Sequence, residues 1–111
     1  MPRITTIQLG RWRLETGPFG YHRMRLTTGR GTVWLTQRQG RLLECLMQYP
    51  DQVVSREELL CRAWGVVCSA GDYRILEITL CALRRRIDPH KPFRVITTAG
   101  GQLQLHSEFC Q

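Results

Sequence analysis

The chain has 111 residues, enough for one modest hydrophobic core. Its formal net charge is +7, carried by 15 Arg and a single Lys. That bias favours the planar donor fork that suits phosphate oxygens and base edges, although charge alone does not identify a partner. No run of about 18 apolar residues is present and the N-terminus lacks the basic-then-apolar pattern of a secretory signal, so neither a membrane-spanning helix nor export is indicated.

From residue 7 to residue 35 the sequence reads as short strands. Trp12 and Leu14 alternate with Arg11, Arg13 and Glu15, the period of two of a half-buried strand. Gly17-Pro18 and Gly20 mark a turn. His22, Met24 and Leu26 then alternate with Tyr21, Arg23 and Arg25. Gly29 and Gly31 break that strand, and Thr32-Val33-Trp34-Leu35 begins another. The result is an antiparallel meander with one apolar face and an Arg-bearing face left to solvent.

A first helix is expected from an N-cap at Thr36 to about Tyr49, burying Leu42, Leu43, Leu46 and Met47. Gly40 costs it about 1 kcal/mol relative to alanine unless close packing uses the missing side chain. Pro50-Asp51 ends it, and Val53-Val54 reads as a short extended link. Ser55-Arg56-Glu57-Glu58 has the form of a capping box, in which the Ser hydroxyl accepts from a backbone amide while Glu58 reaches back. The second helix follows, with Leu59, Leu60, Ala63 and Trp64 inward and Gly65 as its C-terminal cap. The loop GVVCSAG, residues 65 to 71, carries two valines that either tuck inward or meet a partner.

Over residues 72 to 87, DYRILEITLCALRRRI, the leucines 76, 80 and 83 and Ile87 fall on one helical stripe, with Asp72 as the expected N-cap and Asp88-Pro89 as the stop. The other side carries Arg74, Glu77, Thr79, Cys81, Ala82 and the run Arg84-Arg85-Arg86. A cationic last turn complements the helix dipole as a solvated terminus, and it equally suits a helix held against DNA. Pro89 to Pro92 is a rigid turn. Arg94 to Thr97 and Leu103 to His106 read as strands, joined by a hairpin turn over residues 98 to 102.

The five cysteines (45, 61, 68, 81 and 110) are odd in number and form no CxxC pair, which suggests neither a zinc site nor a disulfide framework. Cys45, Cys61 and Cys81 fall within expected helices and read as buried, reduced thiols in a reducing cytoplasm, with a thiol sensor as a minor third reading. His22, His90 and His106 have no carboxylate paired with them in sequence, and no cysteine has a recognisable base, so no enzyme is indicated. No cofactor is implied.

A meander, three helices and a final hairpin follow the order of a winged helix with an added N-terminal sheet. LTQRQGRLLECLMQYPDQVVSREELLCRAWG (35 to 65), RILEITLCALRRRI (74 to 87) and FRVITTAGG (93 to 101) resemble the OmpR/PhoB-type DNA-binding domain of transcriptional regulators. The resemblance covers roughly residues 5 to 106 and implies an α+β winged helix-turn-helix occupying the whole chain as a single domain. It also implies binding to double-stranded DNA in a bacterial cytoplasm, with the third helix in the major groove and the hairpin wing on the adjacent minor groove or backbone. Carried over residue by residue, Arg74, Arg84 and Thr97 are the expected DNA contacts, with Arg85 as a phosphate contact and Thr79 standing where many members carry His. Val66, Val67 and Ser69 fall in the loop through which members of the family contact RNA polymerase.

Besides Thr79, five positions depart from the family pattern: Cys81-Ala82 replaces a pair that is often polar or basic, Ala99 replaces a wing Arg, and Gln102-Leu103 replaces Gly-Tyr. They motivate a second reading, a winged helix reused for protein contact as an anti-regulator or polymerase adaptor. Membrane-anchored and other one-component relatives resembling ToxR and CadC place this domain first in the chain. Either the sequence is the DNA-binding head of a longer regulator or it is a small stand-alone protein without a built-in sensor, and a homodimer on DNA is a separate expectation.

Overall fold

Thr5–Leu9 (β1), Trp12–Thr16 (β2), Arg23–Thr28 (β3) and Gly31–Thr36 (β4) form a four-stranded antiparallel sheet in the order β1-β2-β3-β4 in the computed structural model, which describes residues 5–17, 23–65 and 69–111. The register sets Leu14 opposite Leu26 and Met24 opposite Leu35. These residues and Trp12 are buried, while Arg13 and Arg23 on the alternate positions are exposed, as the period of two requires. Pro18, Gly20, Tyr21, His22, Val66, Val67 and Cys68 lie outside the described residues.

The buried face of the sheet packs on Gln37–Gln48 (α1), whose inward stripe is Leu42, Leu43, Leu46 and Met47, with Cys45 beside it. Thr36 caps α1 with a reciprocal pair of bonds: its hydroxyl accepts from the Gln39 amide at 3.2 Å, and the Gln39 side chain accepts from the Thr36 amide at 3.1 Å. Gly40 lies where the helix meets the sheet. A Cβ there would stand 2.8 Å from Met24 Cβ and 2.9 Å from its Cγ, so the absent side chain is what allows the approach.

Arg56–Trp64 (α2) and Ala70–Ile87 (α3) complete a three-helix layer over the same core, contributing Leu59 and Leu60, and Leu76, Leu80, Leu83 and Ile87. Ser55 caps α2 by accepting from the Glu58 amide at 3.1 Å, but only half of the expected box forms. Glu58 turns instead toward Arg62, 3.8 Å away across one helical turn. Gly65 closes α2 in the left-handed conformation with φ 66°, as expected. Ala63 and Trp64 are half-buried rather than interior.

Two expectations are corrected here. The third helix starts at Ala70, not after Asp72. Ser69 is its N-cap and Asp72 the third helical residue, and the two exchange bonds as a capping box. The assignment of Asp72 failed because an acidic residue suits the N-cap and the first turn equally well. The thiols also divide: Cys45 and Cys110 are buried, but Cys61 and Cys81 are exposed, because both fall on the outer faces of their helices.

Val53–Ser55 (β5), Ile96–Ala99 (β6) and Gln102–Leu105 (β7) form a second, three-stranded sheet in the order β5-β7-β6. The expected link at Val53-Val54 is thus a strand, paired with Gln104 and Leu103. The β6–β7 turn is tighter than expected. Only Gly100 and Gly101 lie between the paired Ala99 and Gln102, and their φ values of 59° and 77° are those of a two-residue turn that matches strand twist. A short 3-10 helix, Ser107–Cys110, ends the chain against the first sheet, where the Arg11 amide donates to the Cys110 carbonyl at 2.8 Å.

Candidate nucleic-acid interface

On α3 the buried residues occupy one side, and successive residues turn by about 100°. The line diametrically opposite is Arg74, Ile78, Cys81 and Arg85, all exposed. Ile78 is 62% exposed, the highest value among the exposed large apolar side chains of the described residues. Arg86 is also exposed, on the flank that faces β3 and β4, where it borders a groove with Arg23, Trp34 and Gln39. Thr79 is half-buried on the same flank, off the outward line.

The opposite flank joins α3 to the β6–β7 hairpin. The Arg84 guanidinium stacks over the Phe93 ring with its carbon 4.7 Å from the centroid, and Arg84 is half-buried. Two turns of helix earlier on this side, Glu77 accepts an ion pair from Arg56 of α2 at 2.6 Å. Arg56 also approaches the hairpin turn, since a Cβ on Gly101 would lie 3.9 Å from its Nη1. Arg56 therefore sits where α2, α3 and the wing meet, and it neutralises the one carboxylate in the exposed middle of α3.

The wing's base is fixed by Asp88, whose side chain is fully enclosed. Its Oδ2 accepts from the Arg94 and Val95 amides at 2.5 and 2.7 Å, and its Oδ1 accepts from the His90 amide and meets the His90 ring, both at 2.9 Å. Burial pushes the Asp88 carboxyl up, but the hydrogen bonds from Val95, His90 and Arg94 together outweigh it and hold it below the usual carboxylate range. Arg94 and Val95, expected in the first wing strand, instead form this tether, and the strand begins at Ile96. Farther along, the Thr97 hydroxyl is 2.7 Å from His106 Nε2 across the hairpin, so its polar atom is engaged within the wing.

The sequence-derived residues therefore divide by place. Arg74 and Arg85 share the outward line, Arg84 braces helix and wing, and Thr79 and Thr97 lie to the sides. Ser69 serves as the helix N-cap. Sequence reasoning missed Ile78 and Arg56. A helical wheel already places Ile78 on the line between Arg74 and Arg85, whereas nothing local to the sequence brings Arg56 to Glu77. Among the described residues no helix is long and apolar enough to cross a membrane, and no three His, Cys, Asp or Glu residues gather as a metal site.

Residues 29–102 match the family model described as transcriptional regulatory protein, C terminal. A probable transcriptional regulatory protein of Picosynechococcus sp. is 35% identical over 78 residues, spanning 68% of this chain and 31% of that protein. The sensory transduction protein RegX3 of Mycobacterium leprae is 32% identical over 98 residues, spanning 85% of this chain and 49% of that protein. The chain thus matches less than half the length of these relatives. Among solved structures, the DNA-binding domain of CpxR from E. coli superposes with a TM-score of 0.67 at 25% identity, over 92% of this chain and 96% of that one.

Proposed function

The chain belongs to the transcriptional regulatory protein C-terminal family, of OmpR/PhoB type, and on that premise we propose that it binds double-stranded DNA as a transcriptional regulator, with α3 in the major groove and the β6–β7 wing on the adjacent backbone or minor groove. One observation carries this reading. The side of α3 opposite the core presents Arg74 and Arg85, both exposed, on a single line, with the wing tethered beside it. An 18-residue helix is about 27 Å long, ample for the groove, and its anchored stripe fixes which side faces out. The likeness to the CpxR DNA-binding domain supports the same reading.

Within it, Arg74 and Arg85 make the direct contacts. Arg84 sets the angle between helix and wing, and Thr79 and Thr97 stand at the margins of the interface. The loop with Val66 and Val67 that leads to Ser69 is the proposed surface for RNA polymerase, and a homodimer on DNA is its proposed assembly. The setting is the bacterial cytoplasm.

A DNA selection with the purified protein, followed by gel shifts on the selected site and on its own upstream region, tests this reading. Arg74→Ala is expected to weaken binding to the selected site by about 1–3 kcal/mol, the worth of a good base contact. Undetectable binding at low salt, or indifference to both Arg74→Ala and Arg85→Ala, overturns it.

A further inference from the structure

The middle of the exposed line on α3 carries no group that hydrogen-bonds a base edge strongly. Ile78 projects there at 62% exposure, Cys81 follows it, and the neighbouring positions are Ile75, 38% exposed, and Ala82. An exposed isoleucine in water gains nothing for the fold, since the core is served by the opposite stripe. What surrounds it indicates what covers it. Arg74 lies one turn before it and Arg85 two turns after it, both cationic, and the nearest carboxylate, Glu77, is neutralised by Arg56. An apolar residue bracketed by two guanidiniums suits a polyanion that also displays apolar groups. In the major groove one base supplies such a group, the C5-methyl of thymine.

We propose that Ile78 is a specificity-determining residue that packs on thymine methyl groups at the centre of the DNA site; this rests on the DNA-binding reading above. Helix rise puts Ile78 about 6 Å from Arg74 and about 10 Å from Arg85 along the axis. At roughly 3.4 Å per base pair, the thymine lies within about two or three pairs of the base that Arg74 reaches. The site is then specified by apolar contact in its middle and by guanidinium contacts toward its ends.

The test replaces the thymines of the selected site one at a time by deoxyuridine, which removes the methyl and leaves every hydrogen-bonding group in place. For the unaltered protein, affinity is expected to fall roughly 3- to 10-fold at one or two central positions, as loss of a methyl contact implies. Ile78→Ala, at an exposed helical position that alanine suits, is expected to lose a similar factor on thymine DNA and to become indifferent to deoxyuridine there. Circular dichroism of this variant checks that the helices persist. Tight binding that ignores deoxyuridine at every position, or an Ile78→Ala variant that keeps the full deoxyuridine effect, overturns the proposal and leaves DNA binding standing. No binding to any DNA at low salt overturns both.

Discussion

Asp88 is the only charged residue buried among those described, and it has four partners rather than a single counter-ion. Asparagine at this position keeps the shape but loses the charge and one acceptor oxygen, leaving backbone amides at the wing's base unsatisfied. Asp88→Asn is therefore expected to destabilise the fold by about 1–3 kcal/mol in denaturant titrations. The pH dependence has a definite sign. The folded carboxyl is held below its ordinary value, so its contribution is complete above the unfolded value of about 4 and is lost as pH falls through the folded one. Asp88→Asn should flatten this acid limb; an equally steep loss of stability in the variant would contradict the assignment. Thiols offer a second measurement at this scale. Burial pushes Cys110 up to about 12 and raises Cys45 as well, while Cys61 and Cys81 are exposed. Mass spectrometry after brief alkylation near pH 8 should find label on Cys61 and Cys81, with Cys45 and Cys110 reacting only once the chain unfolds. Rapid labelling of Cys110 in the native protein would show that the terminal 3-10 turn opens.

Helix α1 illustrates how an element is decided by its neighbours. Propensity alone makes Gly40→Ala stabilising by about 1 kcal/mol. Contact reverses the sign, because the added methyl meets Met24 at its Cβ, which no change of rotamer can move, as well as at its Cγ. Net destabilisation of about 1–3 kcal/mol is expected, and truncating Met24 in the Gly40→Ala background should recover part of it, a coupling that a thermodynamic cycle reads directly. Additive losses would mean that the methyl is accommodated elsewhere. What the sequence made legible follows the same division. The periodic stripes of α1 and α3, the Thr36 and Gly65 caps and the alternation of β2 and β3 are local signals, and they appear as expected. The strand β5 was not legible, because its three residues are defined by pairing with β7 about fifty positions away. The Asp88 tether was missed for a related reason: a carboxylate after a helix reads as a stop signal until the chain folds back and offers it two amides. In the interface, Arg74 and Arg85 could be placed by periodicity, whereas the pairing of Arg56 with Glu77 depends on how two helices cross.

For the whole molecule, 16 basic residues against 9 acidic ones leave an excess whose placement matters more than its size. Several arginines are engaged within the fold: Arg25 with Glu15, Arg41 with Glu44, and Arg56 with Glu77, at 3.1, 3.1 and 2.6 Å. Among the described residues, no carboxylate lies within ion-pair distance of Arg74 or Arg85. Arg13 is exposed too, but it stands on the outer face of the first sheet, away from the core that separates that sheet from α3. Binding to DNA releases counter-ions in proportion to the phosphates neutralised, so the logarithm of affinity should fall linearly with the logarithm of salt concentration. Removing one phosphate contact lowers the magnitude of that slope by about 0.9. Arg85→Ala is expected to do so, whereas Arg13→Ala should leave the slope unchanged despite an identical change in net charge. Equal flattening by the two variants would mean that DNA responds to the overall charge rather than to the α3 face, and the proposed docking would then be wrong.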